Sequence, residues 1–294
     1  MIQGLIYSII SAFAFGSMAI LVKLGYNAGM SGGDMMQYRF TYAVLVLLVI
    51  LVIKDRSLLR ISRAGLGKCA FLGMGVYWLQ TTCFVSALAT IPASTTSLVL
   101  YGHPVAVTLL SALFLKMKID RVVVFSLILT MTGCCLVFYD AFLREVNTIG
   151  LMYAIGAMAT FSCYLVLVQV LLKNMKPLTA TFYVMLFAAI SFTISGDPSA
   201  WLHPSLDRIV IGLSLGVVPG VIAVTFLYIA IEKIGSAYAC IFSSVEPVVT
   251  LAAAAIFLKE NVVLLQIGGA VLIIAGIVIP NARVLMMKRK LLNI

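Results

Sequence analysis

Residues 236–258 read SAYACIFSSVEPVVTLAAAAIFL, with one charged residue, Glu246, and one proline, Pro247. About 20 mostly apolar residues in a helix span the hydrocarbon core of a bilayer, and this stretch has 23. At helical spacing Glu246 shares a face with Ala239, Ser243, Thr250 and Ala253. A stripe of small and polar side chains is what a membrane helix presents to other helices or to a cavity rather than to lipid. The stretch therefore predicts a transmembrane helix packed inside a bundle.

The same pattern recurs along the whole chain. Apolar runs of comparable length cover residues 2–24, 35–53, 67–89, 95–115, 122–139, 148–172, 178–195, 209–231, 236–258 and 262–279. The expectation is thus an all-α integral membrane protein of ten transmembrane helices. Of the 294 residues, 63% are hydrophobic and 10% charged, with a mean hydropathy of +1.16. A soluble domain is about half apolar and about a quarter charged, so a water-soluble fold is excluded. Connectors are short and marked by turn residues, such as Gly29-Met30-Ser31-Gly32-Gly33 and Ile91-Pro92-Ala93. The longest polar connector, residues 54–66, leaves no room for a soluble domain. The N-terminus has no basic stretch ahead of its first apolar run, so a retained helix is expected there rather than a cleaved signal.

The formal net charge of +10 does not point to nucleic acid, because the basic residues sit in connectors and not on one folded face. With the N-terminus inside, 15 of the 20 Lys and Arg fall in cytoplasmic segments and 5 do not. The five are Lys23, Arg39, Arg144, Arg208 and Lys259. That bias predicts a plasma (inner) membrane protein with both termini cytoplasmic.

The chain also repeats itself. At an offset of 143 residues, Gly73 matches Gly216, Ala87 matches Ala230, Ile91 matches Ile234, Pro104 matches Pro247 and Gly133 matches Gly276. Phe114-Leu115-Lys116 matches Phe257-Leu258-Lys259, and Gly4-Leu5-Ile6-Tyr7 resembles Gly150-Leu151-Met152-Tyr153 at an offset of 146. The expected division is residues 1–140, residues 147–280 and a basic cytoplasmic tail, 281–294. Five helices per half is odd, so the second half enters the membrane inverted. Inverted repeats are the architecture of secondary transporters, with the substrate near the midplane between the halves.

A charge inside the membrane is costly and marks a candidate site. Glu246 is expected at the centre of its helix, as a contact for a substrate ammonium, as a proton-coupling residue, or as a structural carboxylate inside the bundle. Pro247 frees local carbonyls for water or substrate. His103 precedes Pro104 in the matching position. On a straight helix it lies about 200° from Tyr101, off the stripe of Ser97, Tyr101, Pro104, Thr108 and Ser111. His103 is a proton partner or a hydrogen-bonded bundle residue; Tyr101 lines the cavity or packs.

Trp78 and Gln80 in the third run, Tyr153 and Tyr164 on one face of the sixth, and Tyr228 in the eighth offer stacking and hydrogen bonds to a small ligand. The competing role for each is packing between helices or an interfacial belt. Pro219-Gly220 marks a break in the eighth run. Arg39, near the outer end of the second run, either holds a carboxylate bidentately or snorkels to the headgroups. Lys23 has the same two options, and Lys259 and Glu260 are expected to close the ninth run.

Six cysteines without a C-x-x-C pair and only two histidines make a zinc site or a disulfide framework unexpected, so no metal is anticipated. No phosphate-binding loop, nucleophile elbow or H-E-x-x-H occurs. No catalytic residue, ATP coupling or cofactor is expected.

Glu246-Pro247-Val248-Val249 followed by Phe257-Leu258-Lys259-Glu260 resembles the end of an EamA domain. So does the earlier His103-Pro104-Val105 through Phe114-Leu115-Lys116, and Arg39-Phe40 also fits. The chain resembles the ten-helix EamA branch of the drug/metabolite transporter superfamily over residues 1 to 280, as two tandem domains. Where the second copy has Glu260, the first has Met117. The resemblance implies an inner-membrane permease, often an exporter of amino acids or related metabolites. It also implies a cavity lined by helices one, three, four, six, eight and nine. The expectation is an alternating-access carrier of a small metabolite, a monomer or weak homodimer in the lipid bilayer, with protons as a candidate coupling ion. A flippase of a lipid-linked intermediate and a membrane-embedded regulatory subunit are the alternatives.

Overall fold

The structure, a computed structural model, describes residues 2–143, 145–197, 201, 205–258 and 262–292. Lys259, Glu260 and Arg144 lie outside the described residues. Every regular element among the described residues is helical. The α-helices are α1 (Ile2–Gly16), α2 (Met18–Asn27), α3 (Gly32–Lys54), α4 (Arg63–Ala70), α5 (Trp78–Thr90), α6 (Ala93–Leu100) and α7 (His103–Leu115). They continue with α8 (Arg121–Val137), α9 (Thr148–Leu171), α10 (Pro177–Ser195), α11 (Leu206–Leu215), α12 (Ala223–Ser243), α13 (Glu246–Leu258) and α14 (Leu264–Leu292).

Local chemistry sets the starts. The Ser31 hydroxyl accepts from the Asp34 N–H while Asp34 accepts from the Ser31 N–H, a reciprocal cap for α3. Asp120, Asn147 and Ser205 accept from the first turns of α8, α9 and α11. Pro177 opens α10, where its missing N–H costs nothing. The connector after α3 is tied to α10: Thr179 Oγ1 donates to the Leu58 carbonyl at 2.9 Å and Tyr183 Oη to that of Leu59 at 2.5 Å.

Among the described residues seven helical stretches are long and apolar enough to cross a membrane. They are Ile2–Asn27, Gly32–Lys54, Arg63–Thr90, Ala93–Leu115, Thr148–Leu171, Pro177–Ser195 and Leu206–Ser243, with Arg121–Val137 and Leu264–Ile279 as shorter apolar helices. The chain is a multi-pass, all-helical membrane protein. Its large apolar side chains that face outward, such as Leu113, Phe114, Ile194 and Leu264, have hydrocarbon as their solvent.

Several apolar runs are broken inside. The first bends at Ser17, between α1 and α2. Phe71–Tyr77 and Gly216–Ile222 are seven-residue π-helices inserted between α4 and α5 and between α11 and α12. Pro219 lies in the second of these and cannot donate to the helical ladder, so the break expected near Pro219-Gly220 is a π-helix rather than an end. α12 contains Gly235 at φ 80, ψ 161, a conformation that an L side chain rarely adopts, so the helix restarts at Ser236. Another interruption, at Ser244-Val245, puts Glu246 in the first turn of α13. That corrects the expected position of Glu246 at a helix centre: a residue just ahead of a proline starts a helix more easily than it continues one.

The packing is reciprocal. α1 packs along α12 and α5 along α9, while α3 pairs with α10 and α8 with α14. A Cβ added to Gly4 in α1 would stand 2.5 Å from Ile234 Cγ2, and one added to Gly150 in α9 would stand 2.5 Å from Ile91 Cγ2. Gly73 presses on α10 near Val184 and Phe187, and Gly216 presses on α3 near Tyr42 and Ala43. Gly133 and Gly269 meet backbone to backbone where α8 crosses α14. Small residues let membrane helices approach closely, and dispersion then holds them.

Candidate functional site

The break between α6 and α7 shapes one end of the site. Tyr101 and Gly102 leave the helix just before Pro104, and the His103 ring comes to 6.2 Å from that of Tyr101. A straight helix holds the two apart, so the interruption is what brings them together. Both side chains are buried. His103 Nδ1 lies 3.0 Å from the Leu100 carbonyl, an acceptor only, so Nδ1 carries the proton. The half-buried Glu246 opens α13 across from Tyr101, whose hydroxyl faces the carboxyl. Helix starts favour negative charge through the partial positive charge of their free N–H groups.

A file of rings runs inward from this end. His103 meets Phe161 edge-on at 5.0 Å, Phe161 stacks toward Tyr164 at 6.3 Å, and Tyr164 stacks on Tyr77 at 4.9 Å. Tyr164 and Tyr228 share a hydroxyl–hydroxyl hydrogen bond. Tyr77 ends the first π-helix, and its hydroxyl accepts from Arg39 Nη2 at 3.3 Å. The carbonyl of Pro219, in the second π-helix, accepts from the same nitrogen at 3.1 Å.

Arg39 is 3% exposed. Among the described residues its Nη1 reaches only the sulfurs of Met18 at 3.6 Å and Met36 at 4.0 Å and its Nε–H has no acceptor, while its guanidinium lies 5.2 Å from the Phe40 ring. The six residues Met35 to Phe40 are all buried, so α3 is surrounded by protein on every side at this level. Toward the N-terminal end of α3, Trp201 stacks on Tyr38 at 4.3 Å and donates to Gln37 Oε1 at 3.0 Å.

A cavity of about 460 Å³ opens at the α9–α10 end of the bundle. Leu115, Val168, Gln169, Lys173, Ala180, Tyr228, Glu232 and Gly235 contribute to its lining. Tyr228 therefore joins the cavity to the ring file. At the wall, Gln169 Oε1 accepts from the Ser236 N–H at 2.6 Å and Ser236 Oγ at 2.7 Å, and Ser236 Oγ lies 3.2 Å from Ser111 Oγ. The amide caps the helix that restarts after Gly235.

Of the candidates read from sequence, Glu246, Tyr101, His103, Tyr164, Tyr228 and Arg39 thus belong to one connected arrangement. Tyr153, 41% exposed, stands on the outside of α9 and does not join it. Trp78 donates to Ser195 Oγ at 3.2 Å between α5 and α10, and the buried Gln80 accepts from its neighbour Thr81. The structure adds Tyr77, Phe161, Gln169 and Ser236, which sequence reasoning does not single out. Gln169 alone carries a signal, an amide within an apolar run. Among the described residues no three His, Cys, Asp or Glu are placed to hold a metal ion.

The model of the EamA-like transporter family matches residues 2–139 and 148–281. The uncharacterized transporter YcbK of Bacillus subtilis is 24% identical over 287 residues, covering 93% of this chain and 92% of its own length. The pseudopaline exporter CntI of Pseudomonas aeruginosa is 29% identical over 136 residues, 46% of each chain. The protein WALLS ARE THIN 1 of Arabidopsis thaliana is 32% identical over 136 residues, 44% of this chain and 35% of its own. A solved crystal structure superposes with a TM-score of 0.81 over 98% of both chains at 17% identity, a likeness of fold alone.

Proposed function

The chain belongs to the EamA-like transporter family, and from that premise we propose that it is a secondary carrier, an exporter of an amino acid or a related small metabolite. Residues 2–139 and 148–281, the two matched segments, act as inverted five-helix repeats of a ten-helix bundle. They rock about the ring file in alternating access. The single observation that carries this reading is the reciprocal contact of Gly4 with Ile234 and Gly150 with Ile91. The first half's N-terminal helix meets the second half with the same residue types with which the second half's meets the first. A π-helix and a break ahead of a proline occur in each half, the breaks at Pro104 and Pro247 143 residues apart and the π-helices 145 apart. Discontinuous helices of this kind supply binding groups at mid-membrane in transporters.

In this reading both termini are cytoplasmic in the inner membrane, and the cavity at the α9–α10 end opens to the cytoplasm. Tyr228 and Tyr164 close its blind end. Glu246, with Tyr101 facing it, is the group that contacts a substrate ammonium or takes up a coupling proton. One chain contains both halves and is the transporting unit. Of the relatives above, CntI is named as an exporter of pseudopaline, which supports export as the direction proposed here.

The test is efflux from proteoliposomes of purified protein, loaded in turn with amino acids, nucleosides and sugars, with and without a pH gradient. Saturable efflux of the amino-acid pool, absent from empty liposomes, is expected. Efflux of another pool alone changes the cargo. No movement of any pool by folded protein overturns the carrier reading.

A further inference from the structure

Arg39 is a cation to which the described protein supplies no anion. Its acceptors are a phenol oxygen, a carbonyl oxygen and two thioether sulfurs, all neutral, and its Nε–H is unused. Buried charges in proteins are paired or serve a function, because moving a bare ion out of water is costly. Thioether sulfur is a weak acceptor, so Nη1 as well as Nε remains ready for a stronger one.

Its position is as informative as its pairing. From the cavity the order is Tyr228, Tyr164, Tyr77, Arg39: a hydroxyl–hydroxyl bond, a 4.9 Å stack and a 3.3 Å hydrogen bond. On the other side the Trp201–Tyr38 stack and the Trp201–Gln37 hydrogen bond cover α3. The guanidinium is thus held between two seals, one of tyrosines toward the cavity and one at the start of α3.

We propose that Arg39 binds the carboxylate of the transported molecule, which reaches it from the cavity when the Tyr164–Tyr228 pair parts. This rests on the carrier reading and names the substrate class within it: small molecules with one free carboxylate on an apolar or aromatic body. A single guanidinium among neutral groups balances one negative charge. A phosphate ester brings close to two and leaves the second without a partner. The phenol and carbonyl that already hold Nη2 keep the fork oriented, so the carboxylate meets a preformed donor set. Decarboxylated amines and amino-acid amides lack the group that the site reads.

The experiment measures efflux and counterflow of a radiolabelled amino-acid mixture in proteoliposomes, with unlabelled amino acids and their amides as competitors. A second arm follows the melting temperature of the detergent-solubilised protein in millimolar phenylalanine or phenylalaninamide. The wild type is expected to be competed by acids about tenfold better than by amides, and to be stabilised by phenylalanine only. Arg39→Gln, similar in reach and uncharged, is expected to raise KM about tenfold or more at little change in kcat and to lose the acid preference. Arg39→Lys is expected to keep the preference with a raised KM. A wild type that treats acids and amides alike overturns the proposal without any variant, and so does an Arg39→Gln protein that keeps the full preference. Both leave the carrier reading standing. If no pool moves, the carrier reading fails first, and the melting arm decides Arg39 by itself: equal shifts with acid and amide overturn it.

Discussion

Replacing Gln169 by Leu tests whether the cavity wall is held by one amide. In the structure its Oε1 accepts two hydrogen bonds from Ser236, at 2.6 Å from the nitrogen and 2.7 Å from Oγ, and Ser236 is fully buried. Leu keeps the bulk and removes the acceptor. The Ser236 hydroxyl has a second partner in Ser111 Oγ at 3.2 Å, so it is the N–H that is stranded. A buried donor left unpaired costs about 1–3 kcal/mol. Side-chain hydrogen bonds in membrane bundles average about 0.6 kcal/mol by double-mutant cycle, and the adjoining cavity admits water, so the expected loss is about 1 kcal/mol. Gln169→Glu keeps an acceptor at a helix start, where negative charge is favourable, and is expected to lose less than Leu.

The assay is reversible unfolding in mixed dodecyl maltoside and dodecyl sulfate micelles, run as a cycle with Ser236→Ala. That substitution removes the hydroxyl and leaves the N–H, so the pair shares one hydrogen bond. A coupling of about 0.6–1 kcal/mol is expected, because the shared bond is lost only once in the double variant. Additivity within about 0.3 kcal/mol refutes the bond between Ser236 Oγ and Gln169, and a Gln169→Leu protein as stable as wild type refutes the cap.

Other perturbations read other parts of the bundle. Gly73→Leu and Gly216→Leu drive side chains into α10 and α3, and each is expected to cost at least about 1–3 kcal/mol in the same unfolding assay. A Cβ added at Gly67 meets nothing within 4 Å, so Gly67→Ala is expected to be neutral or to stabilise by about 0.5–1 kcal/mol; equal losses at all three positions contradict the packing described. Glu246→Gln is expected to abolish the response of efflux to a pH gradient or to lower flux about tenfold or more, with Tyr101→Phe smaller in the same direction. Unchanged flux and unchanged pH dependence in Glu246→Gln remove its proposed part in transport.

The apolar runs make the membrane class and most helix positions legible, because a bilayer demands long helices with every backbone group paired internally. The seventh run, for example, softened by Ser191, Thr193 and Ser195, is one helix from Pro177 to Ser195. What the runs hide are the interruptions. The break at Gly235 does show, as the gap between the runs 209–231 and 236–258, but hydropathy averages over a window, so the turn at Ser244-Val245 and the π-helix at Phe71–Tyr77 leave no trace. The faces drawn for Tyr101 and His103 assume an unbroken 100° step, and two non-helical residues are enough to undo that geometry. Tyr153 and Tyr164 share a stripe on a straight helix, yet one faces out and the other in. Eleven residues are about three turns, and over that length α9 passes from one neighbour to another.

The two charges inside the bundle are reached by different logic. Glu246 is visible as the lone acid of an apolar run, and the break before Pro247 explains its tolerance there: the first turn of α13 offers free N–H groups to a carboxylate. Arg39 reads from sequence as either a carboxylate ligand or a snorkelling cation. Its neighbours add that Met35 to Phe40 are all buried within the protein. Glu246 stands among backbone dipoles at one end of the ring file, and at the other end Arg39 has only neutral acceptors among the described residues. On the proposal that Arg39 binds the substrate carboxylate, a zwitterion would turn its ammonium toward the rings of Tyr77, Tyr164 and Tyr228, where cation–π attraction would take the place of a second carboxylate. On the same proposal Glu246 would be left to exchange a proton instead of holding the substrate, which would separate binding from coupling within one file of side chains.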